Sequence, residues 1–296
     1  MSRSPHQQTL FGEQRPRRVV NVASVPQRSP FRYPGGKTWL VPRIRDWLSS
    51  LPTRSAELIE PFAGGGVVSL TATAEKLADH ATMVEIDEQV AAVWKTIFGG
   101  DGEWLANAIV AFDLTSHSVE ETLSQSAGST RERAFQTILK NRTYHGGILA
   151  PGSAPVRHGE NGKGIRSRWY PETLRKRILW IDALRDRITF IEGDGIEVVK
   201  QNARRTDVVF FVDPPYTAAG KKAGSRLYTH FAVDHEKLFA AMSAVIGDFL
   251  MTYDDADGVR DLARKYGFDM ELVAMKNTHH AKMNELLIGR NLDWAR

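Results

Sequence analysis

Cysteine is absent from all 296 residues of the sequence, and long apolar runs are absent as well. The lack of cysteine excludes disulfide bonds, thiolate metal sites, iron–sulfur clusters and a cysteine nucleophile. No stretch approaches the roughly 18 uninterrupted apolar residues of a membrane-spanning helix. The polar, basic N-terminus also lacks the apolar segment of a secretory signal. We therefore expect a cytoplasmic protein that does not enter a membrane.

The net charge is only +4, but the charged residues are unevenly distributed. Residues 131–187 contain 13 Lys or Arg against five Asp or Glu, and residues 1–30 contain five Arg against one Glu. A basic segment in an otherwise acidic chain indicates contact with a polyanion, although a solvated charged face has the same composition.

The spacing of apolar residues predicts strands that alternate with helices, with one interruption. Strand patterns lie at 57–60, 81–86, 188–191, 208–212, 248–253 and 285–288. Helical patterns lie at 40–51, 67–77, 87–98, 103–112, 130–141, 171–184, 234–246 and 257–266. The chain is therefore predicted to form an α/β sheet domain with a mostly helical insertion. The predicted boundaries are a disordered basic tail at 1–29, the sheet domain at 30–105 and 188–296, and the insertion at 106–187.

A glycine turn, Gly64-Gly65-Gly66, follows the first strand and opens a helix. Such a turn is typical of a nucleotide held at a helix N-terminus, although it also permits tight strand–helix packing. The second strand ends at Glu85, which can accept hydrogen bonds from ribose hydroxyls. Asp194 follows the third strand, where it is suited to an adenine amino group but can equally cap a helix that starts near Ile196. These carboxylates indicate a nucleotide-like ligand at one sheet edge.

The apolar strand 208–212 ends in Asp213-Pro214-Pro215-Tyr216. Two consecutive prolines restrict the backbone beyond the strand. The Asp213 carboxylate and the Pro214 carbonyl are then two acceptors held together, and an exocyclic amine offers two N–H donors. Tyr216 adds an aromatic face on which a purine can stack. The tetrapeptide therefore favours chemistry on the amino group of a base over an ordinary polar turn.

Five segments carry a family resemblance in the same chain order: Phe31–Lys37, Glu60–Gly66, Lys140–Gly147, Asp213–Tyr216 and Asn284–Ile288. In these motifs the chain resembles the Dam-type DNA adenine methyltransferases, from Phe31 to Leu292. The resemblance implies a Rossmann-like sheet that depends on S-adenosyl-L-methionine, with a reversed C-terminal hairpin and a target-recognition insertion. It also implies methyl transfer to the N6 amine of a flipped-out adenine in duplex DNA, with S-adenosyl-L-homocysteine as the second product.

The site residues that the resemblance implies are carried over position by position. The adenine would be held by Asp213, Pro214, Pro215 and Tyr216. The cofactor would be bound by Tyr33, Gly35, Gly36, Lys37, Glu60, Pro61, Phe62, Ala63, Gly64, Gly66, Glu85, Ile86, Asp194 and Asp213. The chain departs from the family at Glu85, where Asp is common, at Ala150, where many members have Arg, and at Gly146, where Asn is frequent. The DNA sequence that is recognised therefore cannot be inferred from the family.

Duplex DNA is the expected partner, and most of the candidate contacts are basic. The predicted DNA-binding residues are Asn141, Arg142, Tyr144, His145, Arg166, Arg168, Lys221 and Lys222. Further phosphate contacts are predicted for Arg157, Lys163, Arg175, Lys176 and Arg177. Arg142, with Tyr144 and His145 nearby, is the candidate for contact with base edges. The loop 217–228 is predicted to close over the extruded nucleotide.

We expect no metal, because the sulfonium leaving group is already charged and His145, His279 and His280 lack companion ligands at a suitable spacing. The resemblance suggests a monomer that is associated with the nucleoid of a bacterium or encoded by a plasmid or phage.

Three alternative functions stay open. An RNA adenine or DNA cytosine methyltransferase could use a similar tetrapeptide. A DNA-binding module on an inactive scaffold would keep the fold without the reaction. An NAD-dependent oxidoreductase fits the glycine motif poorly.

Overall fold

The computed structural model describes residues 25–32, 36–215, 233–276 and 282–296. The strands are β1 (Ser55–Glu60), β2 (Ala78–Glu85), β3 (Ile188–Glu192), β4 (Val208–Val212), β5 (Phe249–Asp254), β6 (Asp269–Lys276) and β7 (Lys282–Gly289). The first helices are α1 (Val41–Ser50), α2 (Val67–Ala74), α3 (Glu88–Thr96), α4 (Gly102–Ala111) and α5 (Ser116–Ser124). The others are α6 (Thr130–Thr143), α7 (Pro171–Asp182), α8 (Gly195–Asn202), α9 (His235–Ser243) and α10 (Asp257–Lys265).

The seven strands form one sheet in the order β3-β2-β1-β4-β5-β7-β6. Strands β1 to β5 run parallel to one another, whereas β7 runs antiparallel to both β5 and β6. The chain order reverses between β1 and β4, and ligands of open α/β sheets bind beyond the strand ends at such a reversal. The predicted Rossmann-like sheet with its reversed C-terminal hairpin is therefore confirmed.

Both faces of the sheet are covered, as a mostly parallel sheet requires. The neighbouring residues Phe210 and Phe211 of β4 are both fully buried, but they belong to different apolar clusters because successive side chains of a strand point to opposite faces. Phe210 belongs to a cluster that includes residues of α8 and α9, and Phe211 packs in one that includes residues of α1. The central strand is thus anchored from both sides, which places the residues at its end on a firm support.

The segment between β2 and β3 is helical, as predicted. Its α3 and α6 share one apolar core with α4 and α7, in which Trp94, Ile138 and Ile178 are fully buried. The spacing of apolar residues predicted neither α5 nor β6, although the family resemblance implied a C-terminal hairpin. Helix α5 buries only Val119 and so shows almost no apolar face. The predicted domain boundaries stay predictions, and the one at 105/106 falls inside α4.

The predicted disordered tail is wrong at its C-terminal end. Val25 is buried, and Arg28 pairs with Glu75 at 2.7 Å while its guanidinium lies over the ring of Trp180. Residues 25–29 therefore pack against the folded body, because these contacts offset the entropy lost on ordering them. The rest of the predicted tail, 1–24, lies outside the described residues.

Candidate active site

The glycine turn connects β1 to α2 through two residues in the left-handed region. Gly64 has φ +47° and Gly66 has φ +64°, a conformation that glycine adopts without a steric penalty. A Cβ on Gly66 would overlap the Cε of Met83 on the neighbouring strand. The Gly64 carbonyl accepts a hydrogen bond from the Trp94 indole at 2.9 Å. The turn is therefore held closely against β2 and α3, and the N-terminus of α2 is aimed toward the sheet edge.

Glu85 at the end of β2 joins this turn to the next loop. One carboxylate oxygen accepts the N–H of Gly64 at 2.9 Å, and the other accepts those of Ile86 and Asp87 at 2.8 Å each. Burial raises the pKa of Glu85 to about 7, against the opposing effect of these backbone donors. Beside it, the side chain of Ile86 is 47% exposed, which is unusual for a large apolar residue. Glu85 and Ile86 together therefore place a hydrogen-bond acceptor next to an exposed apolar side chain.

Two other carboxylates flank this crevice in different environments. Glu60 at the end of β1 is buried and accepts both the N–H and the hydroxyl of Ser69, at 2.9 and 2.5 Å. Burial raises the pKa of Glu60 to about 8. Asp194 is exposed and accepts the N–H of Ile196 at 2.8 Å, so it is the N-cap of α8. The cap uses one oxygen of the Asp194 carboxylate and leaves the other for a ligand. Asp194 can therefore both cap α8 and contact an adenine amino group.

Asp213 follows β4 at the centre of the sheet edge and is held through a single oxygen. Its Oδ1 lies 2.9 Å from Lys37 Nζ and accepts a hydrogen bond from the Thr252 hydroxyl at 2.8 Å. The Lys37 ammonium also lies 3.0 Å from Glu285 Oε1 on β7. Oδ2 has no donor among the described residues, and the Asp213 side chain is 21% exposed against 6% for Lys37. The free oxygen is therefore the one available to a substrate amine.

The charged groups around Asp213 shift the pKa values of their neighbours. Burial alone lowers the pKa of the Lys37 ammonium, but Asp213 and Glu285 outweigh it and raise that pKa. The nearby Tyr253 is fully buried, and its hydroxyl is hydrogen-bonded to His235 Nδ1 at 3.0 Å. Burial raises the pKa of Tyr253, and the negative charge of Asp213 adds to the shift. Lys37, predicted to bind the cofactor, pairs with Asp213 and Glu285 in this structure, and its role toward a cofactor stays a prediction.

The Asn-Arg pair of α6 is inside the protein rather than on its surface. Asn141 is fully buried; its amide accepts the Arg32 N–H at 2.8 Å and donates to the carbonyls of Arg32 and Gly147. Arg142 is 5% exposed and donates to the Pro30 carbonyl. The predicted contact of Arg142 with base edges does not match this geometry, because its guanidinium faces the 29–32 segment.

The other predicted DNA contacts lie at or near the surface of the insertion. His145, Arg157, Lys163, Arg166 and Lys176 are exposed. Tyr144, Arg168, Arg175 and Arg177 are half-buried. Tyr33, Gly35, Tyr216, Lys221, Lys222 and the loop 217–228 lie outside the described residues, as do His279 and His280. The roles of all these residues stay predictions.

Two residues of the site, Thr252 and Glu285, were not predicted as site residues. Both are buried polar residues within apolar strands, and Glu285 opens the strand pattern that the sequence showed at 285–288. Buried polar side chains in such strands are unusual unless they are paired. That contrast was the available signal, but it does not reveal that Asp213 and Lys37 are the partners.

The residues at the sheet edge fit S-adenosyl-L-methionine. Glu85 would supply a carboxylate for ribose hydroxyls, the exposed Ile86 would supply an apolar face for a purine, and the glycines would leave room for close approach. Gly195 also lies so close to Pro61 that a Cβ would overlap the Pro61 carbonyl, which narrows the crevice between β1 and α8.

Within the described part of the chain, no three His, Cys, Asp or Glu side chains are placed to hold a metal ion. None of the helices in the described ranges has the length and apolarity needed to cross a bilayer.

Comparison with solved structures finds methyltransferases and related enzymes at low similarity. The rRNA methyltransferase AviRa from Streptomyces viridochromogenes has 12% identity and a TM-score of 0.39, with 92% of this chain and 93% of that one covered. The tRNA methyltransferase TrmK from B. subtilis has 12% identity and a TM-score of 0.36, with 83% and 64% covered. Spermidine synthase from Thermotoga maritima has 11% identity and a TM-score of 0.37, with 85% and 57% covered. The chain thus spans less than two thirds of the last two proteins, and similarity this weak says nothing about its substrate.

Comparison with curated protein sequences finds no relative. The family comparison is decisive, because the model of the D12 class N6 adenine-specific DNA methyltransferases matches residues 33–278. This match covers β1 to β6 and the helical insertion, and it confirms the resemblance that the motifs carry. The chain belongs to the D12 class N6 adenine-specific DNA methyltransferase family.

Proposed function

We propose that this protein transfers a methyl group from S-adenosyl-L-methionine to the N6 amine of an adenine flipped out of duplex DNA. The observation that carries the proposal is the Asp213 carboxylate at the centre of the sheet edge. Lys37 and Thr252 occupy one of its oxygens, and the other is left for a donor. Membership of the family supports adenine in DNA as the substrate.

The cofactor crevice lies beside this carboxylate. Glu85 would accept hydrogen bonds from the ribose hydroxyls, Ile86 would pack against the purine, and the second oxygen of Asp194 would accept one from the adenine amino group of the cofactor. When bound, S-adenosyl-L-methionine supplies a methyl group that is activated by its positively charged sulfur. The protein therefore needs neither a metal nor a covalent intermediate for the transfer, and its contribution is alignment and polarisation.

Asp213 Oδ2 and the carbonyl oxygen of Pro214 each accept one N–H of the substrate amine. Two acceptors in fixed positions direct the nitrogen lone pair toward the methyl carbon and increase its nucleophilicity. Methyl transfer would exchange the carbon–sulfur bond of the bound cofactor for a nitrogen–carbon bond, release S-adenosyl-L-homocysteine, and leave the amine with one proton that it would lose to solvent. Lys37 and Thr252 keep Asp213 from rotating during this sequence, which maintains the geometry of attack.

An adenine inside a duplex cannot reach this site, so it must leave the base stack at a cost of a few kcal/mol. The basic part of the insertion, residues 131–187, supports the duplex on either side of the target base through phosphate contacts. These contacts lower the cost of extrusion because they hold the DNA while the base leaves the stack.

The test is methyl transfer from labelled S-adenosyl-L-methionine to unmethylated plasmid DNA, followed by nucleoside analysis. We expect N6-methyladenine from the wild type and none from Asp213→Asn, which changes one acceptor oxygen into a donor. Asp79→Asn is the matched control, since Asp79 lies at the opposite end of β2 and pairs with the exposed Arg54.

The products separate the alternatives. Methylated cytosine would move the enzyme to another amino-methyltransferase class. Methylation of single-stranded RNA but not of duplex DNA would indicate an RNA enzyme. Cofactor binding with no product on any of these nucleic acids would contradict the proposed reaction and support an inactive scaffold.

A further inference from the structure

Two arginine side chains contact the short segment that precedes the Lys37 motif, and a third arginine belongs to that segment. Arg142 of α6 donates to the carbonyl of Pro30, and Arg177 of α7 donates to that of Ser29 at 3.3 Å. Arg32 belongs to the segment itself, and Asn141 holds both of its backbone groups. The sequence positions 32, 142 and 177 are far apart, so only the packing of α6 and α7 against this segment brings their charges together.

These charges lack the carboxylate partner that several other arginines of the fold have. Arg28 pairs with Glu75, and Arg185 lies 3.5 Å from Asp182. In contrast, none of Arg32, Arg142 and Arg177 has a carboxylate partner among the residues that the structure describes. The Nε of Arg142 is buried without any hydrogen-bond acceptor.

The guanidinium groups act on one another. Burial, together with the positive charges of Arg177, Arg32 and Arg168, lowers the pKa of Arg142 to about 9. Burial also lowers the pKa values of Arg32 and Arg177. A buried charge without a counter-ion is costly, so a cluster of like charges implies an anion that is bound when the protein works.

The cluster lies within reach of the proposed active site. Arg32 and Lys37 are five positions apart in the sequence, which limits their Cα atoms to about 18 Å apart, and Lys37 contacts Asp213. One DNA strand carries a phosphate every 3.4 Å or so along the helix axis. A DNA strand whose target base occupies the proposed active site would therefore place a phosphate near the three arginines within about five nucleotides of that base.

We propose that Arg32, Arg142 and Arg177 together form the binding site for one backbone phosphate of the DNA strand close to the target base. Guanidinium groups suit this role because their N–H donors match phosphate oxygens in pairs. This inference rests on the proposed function, since it names a contact of the same substrate. It replaces the predicted base-edge role of Arg142 by a phosphate contact.

The test measures the affinity of the full chain for a fluorescent unmethylated duplex at a series of KCl concentrations. The slope of log K against log [salt] falls by about 0.9 for each phosphate contact that is lost. We expect Arg32→Gln and Arg177→Gln each to reduce the slope by about 0.9, and the double variant to reduce it by the same amount, because both side chains serve one phosphate. Arg185→Gln removes the same charge from a paired arginine of the insertion and should leave the slope unchanged.

Arg142 is left intact in this series because its guanidinium holds Pro30, and its loss could unfold the segment. Arg177→Lys keeps the charge and should keep the slope, whereas its affinity should fall because the paired donors are lost. If Arg32→Gln and Arg177→Gln change the salt-dependence slope no more than Arg185→Gln does, the proposed phosphate site is overturned. Additive losses in the double variant would also overturn it, since they would mean two separate phosphates.

Methyl transfer measured on the same preparations separates this inference from the proposed function. Methylated adenine together with an unchanged slope in all variants would overturn the phosphate site alone. The expected slope changes without any methylated base would support the phosphate site and contradict the proposed reaction. A wild-type protein that does not bind the duplex would overturn both.

Discussion

The hydroxyl of Thr252 donates a hydrogen bond to Asp213 Oδ1 at 2.8 Å, from the strand next to the one that Asp213 follows. Because Lys37 contacts the same oxygen at 2.9 Å, the bond leaves Oδ2 as the oxygen that would face the substrate in the proposed reaction. Thr252 touches no substrate in the proposed reaction, so it is a positioning residue. Its effect should therefore appear in the rate of transfer rather than in the binding of the cofactor.

Replacement of Thr252 tests this role directly. Thr252→Val keeps the shape but removes the donor, and a hydrogen bond to a charged group contributes about 1.5–3 kcal/mol. We expect kcat for methyl transfer to fall about 10- to 100-fold, with the dissociation constant of S-adenosyl-L-methionine unchanged. Thr252→Ser retains the hydroxyl and should restore most of the rate. A Thr252→Val enzyme as fast as the wild type would show that the bond is dispensable.

The buried Lys37 should be important for stability as well as for catalysis. Lys37→Met leaves the carboxylates of Asp213 and Glu285 near each other without their shared cation, and breaking a buried pair costs about 3–5 kcal/mol. Urea unfolding should show a loss of that size. In the double variant with Glu285→Leu, the loss should be smaller than the sum of the two single losses.

The control for Lys37 is Lys95→Met. Lys95 forms an exposed ion pair with Glu192 at 2.8 Å, and exposed pairs contribute less than about 1 kcal/mol. Equal losses in Lys37→Met and Lys95→Met would mean that the buried pairs contribute no more than surface ones.

Binding of the cofactor should depend on pH through Glu85. Its pKa is raised to about 7, and the ribose contact requires the ionised form. Protons therefore compete with the ligand below pH 7, and the affinity should fall about tenfold for each pH unit below it. Calorimetric titration between about pH 5 and pH 8 measures this. Glu85→Gln cannot ionise, so it should bind more weakly but without this dependence. Parallel pH profiles for the two proteins would assign the titration to another group.

The glycine turn should tolerate no side chain at Gly66. Gly66→Ala combines a left-handed backbone, which costs an L-residue about 1–2 kcal/mol, with an overlap against Met83 that adds about 1–3 kcal/mol. Gly100→Ala is the matched control, because Gly100 also has a positive φ but open space around its Cα. Urea unfolding should show the larger loss for Gly66→Ala. A loss no greater than that of Gly100→Ala would mean that Met83 moves aside freely.

The sequence by itself was enough for the elements whose signals are local. β4 was predicted residue for residue, since five consecutive apolar side chains occupy a strand that is buried on both faces. The glycine turn and the carboxylates of Glu85 and Asp213 were also placed correctly at strand ends. In contrast, α5 was missed because Val119 is its only buried residue.

Only the tertiary structure decided which residues meet at the site. Thr252 and Glu285 reach Asp213 and Lys37 because β5 and β7 follow β4 in the sheet, an order that no local pattern encodes. The sequence indicated basic contacts in the insertion, but the burial of Arg142 depends on the segment 29–32 that packs over it. Periodicity shows which side of an element is apolar. The choice of neighbour, and with it the environment of every charged group, depends on long-range packing.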